Sequence, residues 1–425
     1  MAAHRGGGFV SKVPNARGKI NLLQVCLPVS IFHAACPPPH TRCTCTMDGP
    51  LLAGSTRAII SLEAFRHNIG CVRSYCRAGT GIMAVVKANA YGHGMIDISA
   101  EAIRGGVDFL AVARVSEALE IRKSGITHPL LVFEIPPASS IEEAIAGRID
   151  LSVGTSEGGA SISRIAAARG EKAVVHVKVD TGMGRLGFSS GTAAADIISL
   201  LGLPGLELGG LYSHFATSED PNRSFANLQI SRFIDVIERL RREGIEPPLV
   251  HMANSGAVIT LPQAHFDMVR PGIMLYGYPP SRSMSERHPL RPVLSLISNI
   301  SMLRGISKGT SVSYGRRFVA HRDTVIATVP AGYADGYTRL LTGRASAIIR
   351  GKLYPVVGTI CMDHIMIDVG PEPECGSGDQ VTLIGNDGGL SITAWDIAGT
   401  LGTIPYEVTS LISGRIPRLF TGATA

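Results

Sequence analysis

The segment AVVKANAYGHG, residues 84–94, joins an apolar, β-branched run to a lysine and a glycine-punctuated polar turn. The apolar run predicts a buried strand that ends at Lys87. An ammonium group at the end of a buried strand needs a carboxylate partner or a covalent mask, such as a Schiff base with an aldehyde cofactor. Lys87 is therefore either an ion-paired lysine or a candidate catalytic residue.

Seven similar runs follow this strand along the chain. The eight candidate strands lie near residues 81–87, 108–113, 129–134, 149–153, 173–180, 206–214, 248–253 and 267–270. Helix-like segments separate them, for example at residues 116–124, 141–147, 161–169, 192–201 and 229–243. Eight βα units without internal repeats predict an α/β fold, a closed (β/α)8 barrel of the TIM type rather than an open doubly wound sheet.

The sequence pattern changes after Tyr278. Short strand-like runs joined by Gly, Asp or Asn turns occur at residues 293–303, 324–329, 345–350, 354–357, 365–369 and 380–384, and residues 392–400 alone look helical there. We therefore expect a cofactor-binding barrel over residues 47–288 and a mainly β C-terminal domain over residues 289–425.

Charge and cysteine usage limit the class of protein. Five of the six excess positive charges lie in residues 1–46, so the rest of the chain is near +1, which argues against nucleic acid or a membrane as partner. Four of the eight cysteines lie in the same leader, and the other four are scattered without the paired spacing of a zinc site. We expect a cytoplasmic protein without a metal ion.

Residues 1–46 allow two interpretations. Basic residues precede an apolar stretch at 22–35, as in a secretory signal, but Pro28 interrupts it and prolines 37–39 follow it. Met47 is a plausible alternative start, with the leader disordered or absent from the mature protein. No other run is long enough to span a bilayer.

Polar residues gather at the carboxyl ends of the predicted barrel strands, where barrel enzymes place their catalytic groups. These residues are Lys87, Lys178, Asp180, Arg185, His214, Asn254, Ser255, Arg270 and Gly272. The loops after strands seven and eight offer a hydroxyl and glycine amides, which favours a phosphorylated cofactor. Tyr91 could reach the same anion if residues 87–91 form a helical turn.

Simpler interpretations exist for single residues. His214 could be a core histidine, and Arg185 and Arg270 could pair with Asp180 and Asp267. The segment GMGRLG, residues 182–187, also has the glycine spacing of a dinucleotide-binding turn and would suggest a dehydrogenase. The context disagrees, because Asp180-Thr181 intervenes and no helical pattern begins before Ser190.

Ten motifs in order resemble the pyridoxal-phosphate-dependent alanine racemases from about residue 55 to 420. They are AVVKANAYGHG (84–94), KVDTGMGRLGF (178–188), YSHFATSED (212–220), HMANSGA (251–257), VRPGIMLYG (269–277), VSYGRRF (312–318), GYADGY (332–337), GTICMDHIMIDVG (358–370), PYE (405–407) and RIPR (415–418). The resemblance implies the barrel followed by a β domain. It also implies pyridoxal 5'-phosphate as cofactor.

The resemblance implies a role for each matching residue. Lys87 and Tyr314 would be the catalytic bases, and Lys87 would also hold the cofactor. The other implied cofactor-binding residues are Tyr91, His214, Asn254, Ser255, Arg270, Gly272, Ile273 and Tyr406. Arg185 and Met362 would bind the substrate, Lys178 is a candidate for carbamylation, and Tyr333 and Tyr406 would narrow the entrance.

Inversion of an α-carbon explains the need for two bases, since a proton leaves one face and returns to the other. The resemblance implies a homodimer with composite active sites, in which Tyr314 and Met362 reach the partner's barrel. It implies interconversion of L- and D-alanine for peptidoglycan. Serine or a broader amino-acid range remains an alternative, as do a cofactor carrier and a decarboxylase.

Overall fold

The computed structural model describes residues 56–422, apart from the side chains of residues 285–287, so the leader expected at 1–46 lies outside the described residues. Strands up to residue 270 are β1 (Arg57–Ser61), β2 (Gly81–Val85), β3 (Phe109–Val112), β4 (Leu130–Val132), β5 (Asp150–Val153), β6 (Ala173–Asp180), β7 (Phe188–Ser189), β8 (Leu206–Tyr212), β9 (Val250–Asn254) and β10 (Met268–Arg270). Eight of them, β2–β6 and β8–β10, pair in parallel, and β5 pairs with β6 to close the ring. The predicted barrel is therefore confirmed.

The barrel strands are short and apolar because helices cover them from outside while their own side chains fill the interior. The helices are α1 (Leu62–Tyr75), α2 (Lys87–Tyr91), α3 (Met95–Arg104), α4 (Val115–Lys123), α5 (Ala138–Ala146), α6 (Ser156–Arg169), α7 (Ala193–Leu201), α8 (Ser224–Arg242) and α9 (Ser255–Thr260). Side-chain caps fix several starts. Ser61 accepts a hydrogen bond from the Ala64 N–H, and Thr155 accepts one from the Gly158 N–H.

The remaining strands build the mainly β region that the sequence predicts. They are β11 (Leu294–Asn299), β12 (Met302–Ile306), β13 (Ser311–Val312), β14 (Phe318–Val319), β15 (Thr324–Val329), β16 (Ser346–Ile349), β17 (Lys352–Val357), β18 (Ile365–Gly370), β19 (Gln380–Asp387), β20 (Leu390–Ile392) and β21 (Arg418–Thr421). Most of them form one largely antiparallel sheet in the order β12-β15-β18-β17-β16-β19-β11-β1-β21.

Two expectations about this region need correction. Strand β1 lies within residues 47–288, yet it pairs with β11 and β21 in the second sheet and not in the barrel. The expectation of a single C-terminal helix is also wrong, since α11 (Pro405–Ser410) follows α10 (Ala394–Leu401). Proline at the first helical position starts α11 and obscures a helical pattern in so short a segment. The exact domain bounds stay a prediction.

Within residues 56–422, no helix combines the length and apolarity that crossing a bilayer requires.

Candidate active site

A cavity of about 470 Å³ lies at the carboxyl ends of the barrel strands, a size typical of small-molecule sites. The structure brings eleven of the fourteen candidate residues to its wall: Lys87, Tyr91, Lys178, Arg185, His214, Asn254, Ser255, Arg270, Gly272, Ile273 and Tyr406. The other three do not line it. Tyr314, Tyr333 and Met362 lie in the β region with exposed fractions of 72%, 40% and 52%.

Lys87 begins α2, a single turn whose backbone is left-handed. Ala88, Asn89 and Ala90 have φ values of 53°, 52° and 52°, which non-glycine residues rarely adopt. Two side chains hold the turn, since Glu117 accepts a hydrogen bond from the Ala88 N–H (2.6 Å) and Asn89 accepts one from the Met95 N–H (2.8 Å). The helical turn that we expected between Lys87 and Tyr91 thus exists, with the opposite hand.

The surroundings of Lys87 shift its amine toward the neutral form. Burial lowers its pKa, and the nearby Arg185 lowers it further, while Glu117 acts in the opposite direction. A neutral amine is the nucleophilic form of lysine. The structure gives Lys87 no ion pair within the described part of the chain, so the ion-paired interpretation of this lysine is not favoured.

Hydroxyl groups and a backbone amide gather at one end of the cavity. The Ser255 hydroxyl accepts a hydrogen bond from the Gly272 N–H (2.9 Å), and a Cβ at Gly272 would collide with the Tyr91 hydroxyl. The rings of Tyr91 and Tyr406 lie 5.9 Å apart. Burial raises the pKa of both tyrosines, so both hydroxyls keep their protons and can donate to an anion.

Arg270 is a buried cation at the cavity wall. Its Nη2 donates to the carbonyl oxygens of Ser213 (2.6 Å) and Met252 (3.0 Å) and lies 3.2 Å from His214 Nδ1. Burial lowers the pKa of Arg270 to about 10, which leaves it charged at neutral pH. The suggested pair with Asp267 is wrong, because Asp267 instead accepts a hydrogen bond from the Val250 N–H.

Lys178 and Arg185 form a second basic group in the cavity. The Lys178 ammonium donates to the carbonyl oxygen of Val179 (2.9 Å). Burial, followed by the charge of Arg270, lowers the pKa of Lys178 to about 7, and Asp180 opposes the shift. Lys178 is therefore partly neutral near pH 7.

The loop at residues 182–187 does not bind a dinucleotide. The carboxylate of Asp180 accepts hydrogen bonds from the backbone N–H groups of Gly182 (2.9 Å), Met183 (2.8 Å) and Gly184 (3.2 Å). These are the groups that a pyrophosphate would need. The Asp180 carboxylate therefore fixes the conformation of the loop that carries Arg185. The dehydrogenase interpretation is wrong.

Sequence reasoning missed several residues of the cavity wall. Arg114 follows strand β3, and Phe133 and Glu134 follow strand β4. Tyr212 is the last residue of strand β8. The rule that found the other residues, a polar side chain directly after a barrel strand, could have found Arg114 and Glu134.

The turns that carry the three exposed residues are tied to one another. The Thr359 hydroxyl donates to the Tyr314 carbonyl oxygen (2.7 Å), and the Tyr333 N–H donates to the Cys361 carbonyl oxygen (3.1 Å). Tyr314, Tyr333 and Met362 therefore belong to one surface, which we call the donor surface.

Comparison with known proteins gives a consistent result. The family model for the alanine racemase N-terminal domain matches residues 60–280, and that for the C-terminal domain matches residues 293–420. The chain is 42% identical over 366 residues to alanine racemase 2 of Caldanaerobacter subterraneus subsp. tengcongensis, covering 86% of this chain and 94% of the relative.

Solved structures show the same likeness. An alanine racemase of Clostridium difficile 630 has a TM-score of 0.84 at 36% identity, covering 87% of this chain and 96% of that chain. A histidine racemase from Leuconostoc mesenteroides subsp. sake has a TM-score of 0.79 at 30% identity, covering 87% and 99%.

Proposed function

This chain belongs to the alanine racemase family, and we propose that Lys87 and Tyr314 are the two bases with which it interconverts L-alanine and D-alanine. The chain is thus an isomerase that depends on pyridoxal 5'-phosphate. The observation that carries the assignment of residues is the single cavity where a buried lysine, a hydroxyl-lined end and a buried arginine meet.

The cavity residues fit this cofactor. The protonated hydroxyls of Tyr91 and Tyr406, with the Ser255 hydroxyl, suit a phosphate dianion. The amine of Lys87 suits an aldehyde. The Nε of Arg270 has no acceptor within residues 56–422 and suits the unprotonated ring nitrogen, since a guanidinium donates and does not accept.

When bound, pyridoxal phosphate supplies an electron sink that stabilises negative charge at the α-carbon. The protein supplies proton transfer and orientation. Lys87 would take or return the α-proton on one face, and Tyr314 would do so on the other. Arg270 cannot readily give up a proton, so a ring nitrogen that faces it would stay unprotonated, and the reaction would depend more on proton transfer by the two bases.

Substrate orientation would depend on Arg185 and the backbone of Met362, which would bind the carboxylate. Lys178 supports this assignment if it is carbamylated, because a carbamate oxygen could pair with the Arg185 guanidinium. Its pKa of about 7 favours that modification: the neutral amine nitrogen bonds to the carbon of CO₂ and releases one proton.

We propose a homodimer with composite sites. Tyr314 is 72% exposed and does not line the cavity of its own chain, although a base must contact the substrate. In a twofold dimer the donor surface of one subunit can close the cavity of the other. The exposure of Tyr333 and Met362 on the same surface supports this arrangement.

Alanine is the proposed substrate because Tyr406 narrows the cavity, with Tyr333 added by the partner. The similar histidine racemase shows that the fold also occurs in an enzyme named for a larger substrate, so serine or a broader range is the second candidate. We further propose a cytoplasmic role in supplying D-alanine for peptidoglycan.

Incubation of the protein with L-alanine and pyridoxal phosphate in deuterated water tests the proposal. We expect D-alanine that carries α-deuterium, and loss of all exchange in Lys87→Ala. Tyr314→Phe should abolish racemisation while the cofactor absorbance remains. A cofactor carrier would show the absorbance without exchange, and a decarboxylase would release CO₂; either result would refute the proposal.

A further inference from the structure

A row of hydrogen bonds crosses the barrel interior from Arg270 to a carboxylate at the opposite end. Arg270 Nη1 lies 2.9 Å from His251 Nδ1, and His251 Nε2 lies 3.0 Å from His176 Nδ1. His176 Nε2 lies 3.3 Å from Asp150 Oδ2. Arg270 ends strand β10 and Asp150 begins strand β5, so the row runs from the cavity to the amino-terminal end of the barrel.

The chemistry of its ends fixes the direction of the row. A guanidinium can only donate, so His251 Nδ1 must accept and His251 Nε2 must carry the proton. His176 Nδ1 then accepts, and His176 Nε2–H donates to the carboxylate, which can only accept. With any other placement of the protons, two donors would face each other between Arg270 and His251, or the contact between His251 and His176 would lack a donor or an acceptor.

The surroundings keep the row in this state. Both imidazoles are fully buried, and the Tyr212 ring stacks on His251 with centroids 5.1 Å apart. Burial, with the charges of Arg270, His176 and Lys178, lowers the pKa of His251 well below its ordinary value, so this ring is neutral. On the outside of the barrel, the positive charge of Arg122 in helix α4 interacts electrostatically with the Asp150 carboxylate.

Within residues 56–422, this row is the connection of Arg270 to a carboxylate through hydrogen bonds. No carboxylate there pairs with Arg270 directly, and its other contacts are carbonyl oxygens, His214 and the face of the Tyr212 ring, whose centroid lies 5.5 Å from the guanidinium carbon. A buried cation without a counter-charge depends on oriented dipoles for its stability and its position.

We propose that Asp150 is a positioning residue for the cofactor site, which acts through His176 and His251 to hold Arg270 in place. The inference rests on the proposed function, because it assumes that Arg270 faces the cofactor ring. Asp150 itself contacts neither the cofactor nor the substrate. Its effect should therefore appear in cofactor affinity and kcat and not in the KM for alanine.

Asp150→Asn in the full chain loaded with pyridoxal phosphate tests this role. Asparagine has nearly the same shape but lacks the charge, and its amide can turn a donor toward His176. We expect the dissociation constant of pyridoxal phosphate to rise and kcat to fall, each by roughly 2- to 30-fold. The KM for alanine should stay constant, and Asp150→Glu should restore part of the loss.

Asp108→Asn is the matched control. Asp108 also lies at the amino-terminal end of the barrel and accepts a backbone hydrogen bond, from the Ile82 N–H (2.8 Å), but has no link to the histidines. Equal cofactor affinity and kcat in the two variants would overturn the proposal. A wild-type protein that neither binds pyridoxal phosphate nor racemises would instead refute the proposed function.

Nitrogen-15 NMR of histidine-labelled wild-type protein tests the row without any variant of Asp150. We expect each of the two rings, His176 and His251, to carry a proton on Nε2 and none on Nδ1, with resonances assigned from His176→Gln and His251→Gln. A proton on Nδ1 of either ring would overturn the proposed direction and with it the role of Asp150.

Discussion

At the scale of single residues, Lys178 shows how burial lowers the pKa of an amine. The charges of Arg270 and Arg185 lower the pKa of its buried amine, and the carboxylate of Asp180 offsets them only partly. Burial of the charged amine lowers the free energy of unfolding, and the size of this effect depends on pH in a predictable way.

Lys178→Met should stabilise the cofactor-free protein at low pH. The pKa of Lys178 is about 7 in the folded chain against 10.5 ordinarily, so between these values the unfolded chain binds a proton that the folded chain lacks. Wild-type stability therefore rises with pH across that window. The variant should gain as much as about 5 kcal/mol in the free energy of unfolding at pH 6, and the gain should vanish near pH 10.5.

Urea unfolding at several pH values in CO₂-free buffer measures this difference. Lys172→Met is the control, since Lys172 is exposed and precedes the same strand. A pH-independent difference between Lys178→Met and wild type would contradict the assigned burial of charge.

Residue positions around the cavity were largely predictable. Parallel barrel strands bring the residues that follow them to one rim, which is why Lys87, Arg185 and Arg270 could be placed together from sequence. The hydrogen-bond partners of these residues could not be predicted in the same way. The link from Arg270 to Asp150 joins residues 120 positions apart in the sequence through two buried rings, and no local pattern reports it.

At the scale of elements, the left-handed turn of α2 is the least predictable feature. Its residues are not glycines, and their local preference is for right-handed helix or strand. Tertiary contacts from Glu117 and from Asn89 to Met95 impose the turn. It follows that the turn stores strain, which substitution can measure.

Ala88→Gly should raise the free energy of unfolding by about 0.5 kcal/mol, because relief of left-handed strain exceeds the entropic cost of glycine. The same change at Ala160, an exposed position within the right-handed helix α6, should lower it by about 1 kcal/mol. Denaturant titration of both variants provides the comparison. Equal destabilisation by the two substitutions would show that the turn is unstrained.

Arg415 holds together two turns of the donor surface. It pairs with the buried carboxylate of Asp335 (2.9 Å) beside Tyr333 and with Asp363 (2.7 Å) beside Met362. Arg415→Met should lower kcat/KM by roughly 10- to 100-fold, because it would displace Tyr333 and Met362, the residues proposed to contact the substrate. Arg350→Met, which breaks the Arg350–Asp379 pair in another part of the chain, should leave kcat/KM unchanged.

Steady-state kinetics of both variants with L-alanine check this prediction. Similar values for Arg415→Met and Arg350→Met would mean that the donor surface does not need Arg415.

The order of elements in the second sheet was only partly predictable. The short apolar runs of the sequence predict the C-terminal strands, but they do not predict that β1 belongs to the same sheet. The alternation of buried and partly exposed residues in β1 predicts a strand with one buried face, and it does not indicate which sheet the strand joins. Pairing of β1 with β11 and β21 links the start of the described chain to its end.

At the scale of the whole molecule, one chain holds all parts of the proposed site but does not assemble them. The cavity contains Lys87, whereas Tyr314 lies exposed on the donor surface. Sequence resemblance implied this separation, and the geometry of the single chain is consistent with it. We therefore propose that Lys87 of one subunit works with Tyr314 of the other.

Mixing Lys87→Ala chains with Tyr314→Phe chains tests this pairing across subunits. Each variant alone should be inactive, whereas a mixed dimer has one site with both defects and one intact site. After complete subunit exchange, we predict recovery of about a quarter of wild-type racemase activity, measured with L-alanine. A mixture no more active than the separate variants, with mixed dimers demonstrated by mass spectrometry, would contradict the composite site.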